Sequence, residues 1–157
     1  MTKTMTKAER DITLKEGHGD LDSLVGYNLK RAYVVINADY RAALGEDGLA
    51  PREFSALALI VQAPGITQST LARHLGVERS GLVKIVDELE ARAFVQRQAV
   101  KGDRRVQALI ATESGSGFYA KTLETVKAHE AKMLSSLSSD EVNTLKELLY
   151  KIRSIEL

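Results

Sequence analysis

Apolar residues recur at three- and four-residue spacing along most of this chain, a pattern that predicts a mainly helical protein with one short interruption of strand character. The first helix is expected over residues 21 to about 44, where Leu21, Val25, Leu29, Ala32, Ile36 and Tyr40 share one side and Tyr33 and Val34 widen the apolar surface. A second runs from about 51 to about 62. It opens on Pro51, a favourable first helical residue, and buries Phe54, Leu57, Ala58 and Val61, with Pro64 and Gly65 ending it. Towards the C-terminus a long helix is expected from near Glu113, carrying Tyr119, Leu123, Val126, Met133 and Leu137. Ser138 then begins a last helix as a capping box with Glu141, and Val142, Leu145, Leu149 and Ile152 follow at heptad-like spacing. Residues 1–20 are polar and patternless and are expected to form a mobile arm.

Between these segments, residues 67–95 read TQSTLARHLGVERSGLVKIVDELEARAFV, two short amphipathic helices joined by a glycine turn. The Thr67 hydroxyl is placed to cap the first, with Ile66 and Leu71 at hydrophobic-staple spacing; Gly76 follows the last apolar residue, where positive φ ends a helix at least cost. In the second, Leu82, Ile85, Val86 and Leu89 form the buried stripe, so Arg79, Ser80, Gly81, Lys84 and Asp87 face elsewhere. This is a helix-turn-helix pattern. In the DNA-binding version the start of the second helix enters the major groove, and here it carries a guanidinium, a hydroxyl, a missing side chain and an ammonium. Residues 94–98 and 105–111 have strand character around a polar tip at Lys101, Gly102 and Asp103. A hairpin directly after a recognition helix is a wing, and its basic residues Lys101, Arg104 and Arg105 suit the minor groove.

Residues 49–115, LAPREFSALALIVQAPGITQSTLARHLGVERSGLVKIVDELEARAFVQRQAVKGDRRVQALIATESG, resemble the core of the MarR family of bacterial transcriptional regulators, and the likeness in layout extends over roughly residues 22–155. Asp103, Arg104 and Arg105 match the family's Asp-x-Arg wing pattern, in which the acid braces the hairpin and the arginine faces DNA. Two residues depart from it. Glu78 stands where the family often caps the recognition helix with Asp, and Gly81 stands where Ser or Thr is common. That glycine costs about 1 kcal/mol of helix propensity, and it either admits a close approach to the groove or loosens base readout.

The resemblance implies a winged helix-turn-helix, mainly α with a small β-hairpin (α+β), whose N- and C-terminal helices interlock in a homodimer. The implied organisation is an arm at 1–20, a dimerisation helix at 21–50, the DNA-binding domain at 51–112 and dimerisation helices at 113–157. Two-fold symmetry then sets two recognition helices about 34 Å apart, one turn of DNA. Contacts to a double-stranded operator are expected from Thr67, Gln68, Ser69, Arg79, Ser80, Gly81, Lys84, Lys101, Arg104 and Arg105. The family also implies a small effector, an aromatic acid or its CoA thioester, in a cleft by the first helix. Lys30, Arg31, Tyr33 and Asn37 are its candidate polar contacts, and Phe54 and Phe118 its apolar wall.

Composition narrows this further. The net charge of +1 over 157 residues is unevenly spread, since residues 66–105 carry eight basic and five acidic side chains. There is no cysteine, which excludes thiol-based sensing. No apolar run is long enough to span a membrane or act as a signal peptide, so a cytoplasmic protein is expected. His18, His74 and His129 show no metal-ligand spacing and are expected at the surface or in a groove. No cofactor is implied. The glycines of residues 113–118, ESGSGF, lack the lysine of a phosphate loop and are expected to form a hinge; Asp87, Glu88 and Glu90 are expected to be solubilising charge. The expected function is a ligand-responsive repressor rather than an enzyme. Its rival is a dimeric protein-interaction module that keeps the fold and has lost sequence-specific DNA binding.

Overall fold

The computed structural model describes residues 19–100 and 102–154, and of residues 103–105 the backbone. The arm expected over 1–20 lies outside the described residues up to residue 18, and Gly19–Ser23 form a short 3-10 helix. Then come α1 (Val25–Leu44), α2 (Pro51–Gln62), β1 (Ile66–Thr67), α3 (Gln68–Leu75), α4 (Arg79–Ala91), β2 (Val95–Val100), β3 (Asp103–Ala111), α5 (Glu113–Met133) and α6 (Ser139–Arg153). The mainly helical fold with a small hairpin is as the pattern predicts. The first helix begins at Val25, later than expected, because the preceding residues take the tighter 3-10 turn. The Asn28 amide stitches that turn to α1 by donating to the carbonyls of Asp22 and Leu24 at 2.8 and 2.9 Å.

The chain divides into two units, Met1–Ile36 and Asn37–Leu157. Within the described part of the first, no residue is buried, and large apolar side chains such as Leu24, Val25 and Val35 are more than half exposed. The second contains the core: Leu57 and Ile60 of α2, Leu71 of α3, Leu82, Val86 and Leu89 of α4, and Leu109 of β3 are all within 1% of complete burial. Fully burying each such side chain contributes about 1.5–3 kcal/mol.

The antiparallel sheet has the order β1-β3-β2. Its third strand is not evident in the sequence: Ile66 and Thr67 pair with Leu109 and Ala108, two residues being too few for any periodicity. In the hairpin the register shifts between Ala99 and Val100, opposite the segment that carries Arg104 and Arg105, and Gly102 turns the tip at φ +95°.

Thr112 joins the sheet to α5. Its hydroxyl donates to the Ala93 carbonyl at 2.7 Å and accepts the Gly115 N–H at 2.9 Å, capping α5. The expected hinge at residues 113–118 is therefore incorrect: these residues are the first turns of α5. Gly115 is there because a Cβ would overlap the Phe94 carbonyl, which itself accepts the Thr112 N–H at 2.9 Å. Likewise Ser138 and Glu141 form the expected capping box on α6, of which no residue is buried.

His129 is not the surface or groove residue expected. It is buried on α5, its Nδ1 2.9 Å from Asp39 Oδ2, with its ring nearly perpendicular to that of Tyr40. Lys132 Nζ donates to Asp39 Oδ1 at 2.9 Å, so one carboxylate ties the C-terminal half of α1 to α5. Lys132 foremost, then His129, holds the Asp39 carboxyl below its ordinary value. Burial, aided by the Glu53 charge, pushes the Tyr40 phenol up to about 12, so it stays protonated and donates to the Leu49 carbonyl at 3.2 Å.

Two outcomes test this packing. Gly115→Ala is expected to cost about 1–3 kcal/mol through overpacking, read by urea unfolding, whereas Gly117→Ala, with open space for a Cβ, is not expected to destabilise. Because the folded-state value of Asp39 is depressed, its stabilisation is full above the ordinary carboxylate value and is lost as pH falls through the depressed one. Asp39→Asn should thus be less stable than the parent at neutral pH, with the gap closing on acidification; a gap independent of pH would contradict the ionic tie.

Candidate nucleic-acid interface

The start of α3 is set by Thr67, whose Oγ1 accepts the Thr70 N–H at 3.2 Å and donates to Thr70 Oγ1 at 3.0 Å. Gly76, at φ +62°, closes α3 with its N–H on the carbonyls of Ala72 and Arg73, so the chain turns at once into α4. Glu78 occupies the N-cap position of α4, but its side chain makes no capping bond. The buried stripe of α4 fixes how the helix is rolled, and Arg79, Ser80 and Lys84 are exposed as a result.

Beside Arg79 lies a groove of about 620 Å³. Thr67, Gln68 and Ser69 of α3, Arg79 and Leu82 of α4, and Val106 and Gln107 of β3 line it. The structure thus brings together four of the predicted contact residues on one surface. Gln107 carries no signal in the sequence. Its Oε1 accepts from Gln68 Nε2 at 3.3 Å across the groove, a neighbour relation that depends on the unforeseen pairing of β1 with β3. On the other flank of α4 a second groove, of about 500 Å³, places Ser80, Gly81 and Lys84 beside Arg52 of α2, also unforeseen. A Cβ built on Gly81 meets no atom within 4 Å, so the fold does not require this glycine. Lys101 lies outside the described residues, as do the side chains of Asp103, Arg104 and Arg105; their backbone forms the start of β3.

The acids of α4 are more than solubilising charge. Arg97 of β2 reaches Asp87 at 2.6 Å and Glu90 at 2.5 Å, and Glu90 also accepts the Arg97 N–H at 3.2 Å. Glu88 is exposed. Helix α4 and the β2–β3 hairpin are therefore joined through side chains as well as by the intervening turn.

The family model for the MarR family matches residues 47–106. Over 89% of this chain and 99% of the other, the structure matches that of the transcriptional repressor CouR bound to a 23-mer DNA duplex, with a TM-score of 0.84 and 31% identity. This chain belongs to the MarR family. It is similarly close to CouR bound to p-coumaroyl-CoA, at TM-score 0.81 and 29% identity over 90% of this chain and 100% of the other. The regulatory protein assigned to the hcr operon of Thauera aromatica is 29% identical, covering 86% of this chain and 82% of that protein. This MarR protein is accordingly a transcriptional regulator, and its relatives are regulators rather than enzymes. Among the described residues no helix is long and apolar enough to cross a membrane.

The effector candidates of this MarR protein fall on both units. Lys30, Arg31 and Tyr33 are exposed side chains of the first. In the second, Phe54 packs against Tyr119 at 5.7 Å, whereas Phe118 stacks on Phe94 at 4.4 Å beneath the Arg92 guanidinium and is engaged in packing. Asn37 Oδ1 is buried without a hydrogen-bond partner, and so is Glu53 Oε2, which the sequence does not mark.

Since Gly81 is free of packing demands, Gly81→Ala is expected to fold normally and to gain up to about 1 kcal/mol in urea unfolding. A loss of stability would show that the glycine serves the fold after all.

Proposed function

We propose that this MarR protein is a homodimeric repressor that binds a pseudo-palindromic operator and is released from it by a small aromatic acid or its CoA thioester. The observation that carries the reading is the exposure of Arg79, Ser80 and Lys84 at the start of a helix whose opposite face is core. In this reading the start of α4 enters the major groove, where Arg79 pairs with a base edge. Thr67, Gln68 and Ser69 meet the adjoining backbone, Gly81 gives the groove close approach to α4, and Lys101, Arg104 and Arg105 reach the minor groove from the wing.

Dimerisation is supported by apolar surface that each unit leaves open. On α6, Leu148, Leu149, Tyr150 and Ile152 are exposed, and on α1 so are Val25, Tyr33 and Val35. A C2 pairing covers such surface and repeats the recognition helix at the operator's spacing. The effector class rests on the likeness to CouR with p-coumaroyl-CoA bound, and the unused hydrogen-bonding capacity of Asn37 Oδ1 and Glu53 Oε2 is consistent with a polar ligand in the second unit. A repressor of this kind works in the cytoplasm, where its operator is.

The test is a fluorescence-anisotropy titration against DNA from upstream of its own gene. Binding should be sequence-selective, and log affinity should fall with log salt by about 0.9 for each phosphate contacted. A hydroxycinnamate or its CoA ester should weaken it by about 5–150-fold. Salt-independent or sequence-blind binding would contradict the repressor reading and favour the protein-interaction module.

A further inference from the structure

The ion pairs between α4 and β2 stand apart from the rest of the surface charge. Arg97 is three-quarters buried, with a side-chain exposure of 25%, and its two terminal nitrogens each meet a different carboxylate of α4, at 2.6 and 2.5 Å. Glu90, 28% exposed, makes a second bond by accepting the Arg97 backbone N–H, so the strand is held by main chain and side chain at once. Arg97 Nε is buried with no partner, so the guanidinium gives up one hydrogen bond in holding this position. Arg97 also pairs in register with Leu109, the core residue of β3 that pairs with Ile66 of β1, so its position is tied to the whole sheet.

From this geometry we infer that Arg97 is a positioning residue for DNA recognition, a clamp that sets the wing against the recognition helix so that both seat on the duplex together. Arg97 need not touch DNA. By fixing the angle between α4 and the β2–β3 hairpin, it sets the direction of the hairpin strands before DNA arrives, which removes an ordering cost from binding. A guanidinium suits the task because its planar fork can hold two carboxylates in fixed directions, where an ammonium is a single point charge. The inference rests on the repressor reading for its function and on the observed ion pairs for its structure.

The experiment separates geometry from charge by breaking the clamp from both sides. Arg97→Ala removes a positive charge, whereas the double variant Asp87→Asn with Glu90→Gln removes two negative ones. If Arg97 acted only through its charge, the first would weaken operator binding and the second would tighten it. A positioning role predicts that both weaken it, by about tenfold (1.4 kcal/mol), and that both reduce the salt slope by about 0.9 for each phosphate that the wing no longer reaches. Arg97→Lys should recover part of the affinity. In either broken background, Arg105→Ala should cost less than it does in the parent, since an unpositioned wing has less to lose. Opposite effects of the two variants, or a full additive cost for Arg105→Ala, would overturn the inference.

Amide hydrogen exchange without DNA makes the result independent of the repressor reading. Both clamp variants should speed exchange in residues 95–111 while leaving α2 protected. Unchanged exchange there would overturn the clamp whatever the DNA data show. Faster exchange in a protein whose parent binds no duplex would leave the clamp standing and refute the repressor instead.

Discussion

The structure turns on the roll of one helix. Leu82, Val86 and Leu89 of α4 are at most 1% exposed, and Ile85 is 5% exposed, so this helix cannot rotate without drawing several apolar side chains into water. At about 1.5–3 kcal/mol for each fully buried side chain, that constraint outweighs any preference of the polar residues. The exposure of Arg79, Ser80 and Lys84 is thus a consequence of core packing. The groove beside Arg79, with its rim from α3 and β3, is in turn a consequence of where α4 sits.

Everything around α4 holds its neighbours in place. Thr67 begins α3, and Gly76 ends it with a left-handed turn that leads directly to α4. On the far side, Thr112 joins Ala93, Phe94 and Gly115, fastening the base of the wing to the first turn of α5. Arg97 closes the remaining gap between helix and hairpin. These are short polar links around an apolar centre. The centre supplies most of the stability, while the links determine direction, which is what recognition of a helical polymer requires.

Much of this is legible in the sequence because it is local. The stripe of α4, the Thr67 and Ser138 caps and the Pro51 start each depend on residues within one or two turns of each other, and each lies where the pattern puts it. What the sequence hides depends on distant partners. Asp87 and Glu90 look like solvent-facing charge until β2 places Arg97 beside them, and Gln107 joins the groove only through the pairing of β1 with β3. His129 and Asp39 are 90 residues apart, and no spacing rule connects them. Gly115 looks like a hinge because a glycine required by close packing and one used for flexibility are identical in sequence; only the Phe94 carbonyl distinguishes them. The same logic runs the other way for Gly81, whose surroundings are empty and whose role the fold does not dictate.

In the proposed repressor, core packing presents the start of α4, together with its groove, to DNA. Amide hydrogen exchange of the intact protein with and without its upstream DNA tests it most directly, because protection reports where the duplex sits without altering any residue. New protection is expected at the start of α3, over the first two turns of α4, around Gln107 and at the wing tip. Protection confined to α5 and α6, with residues 79–84 unchanged by DNA, would contradict it.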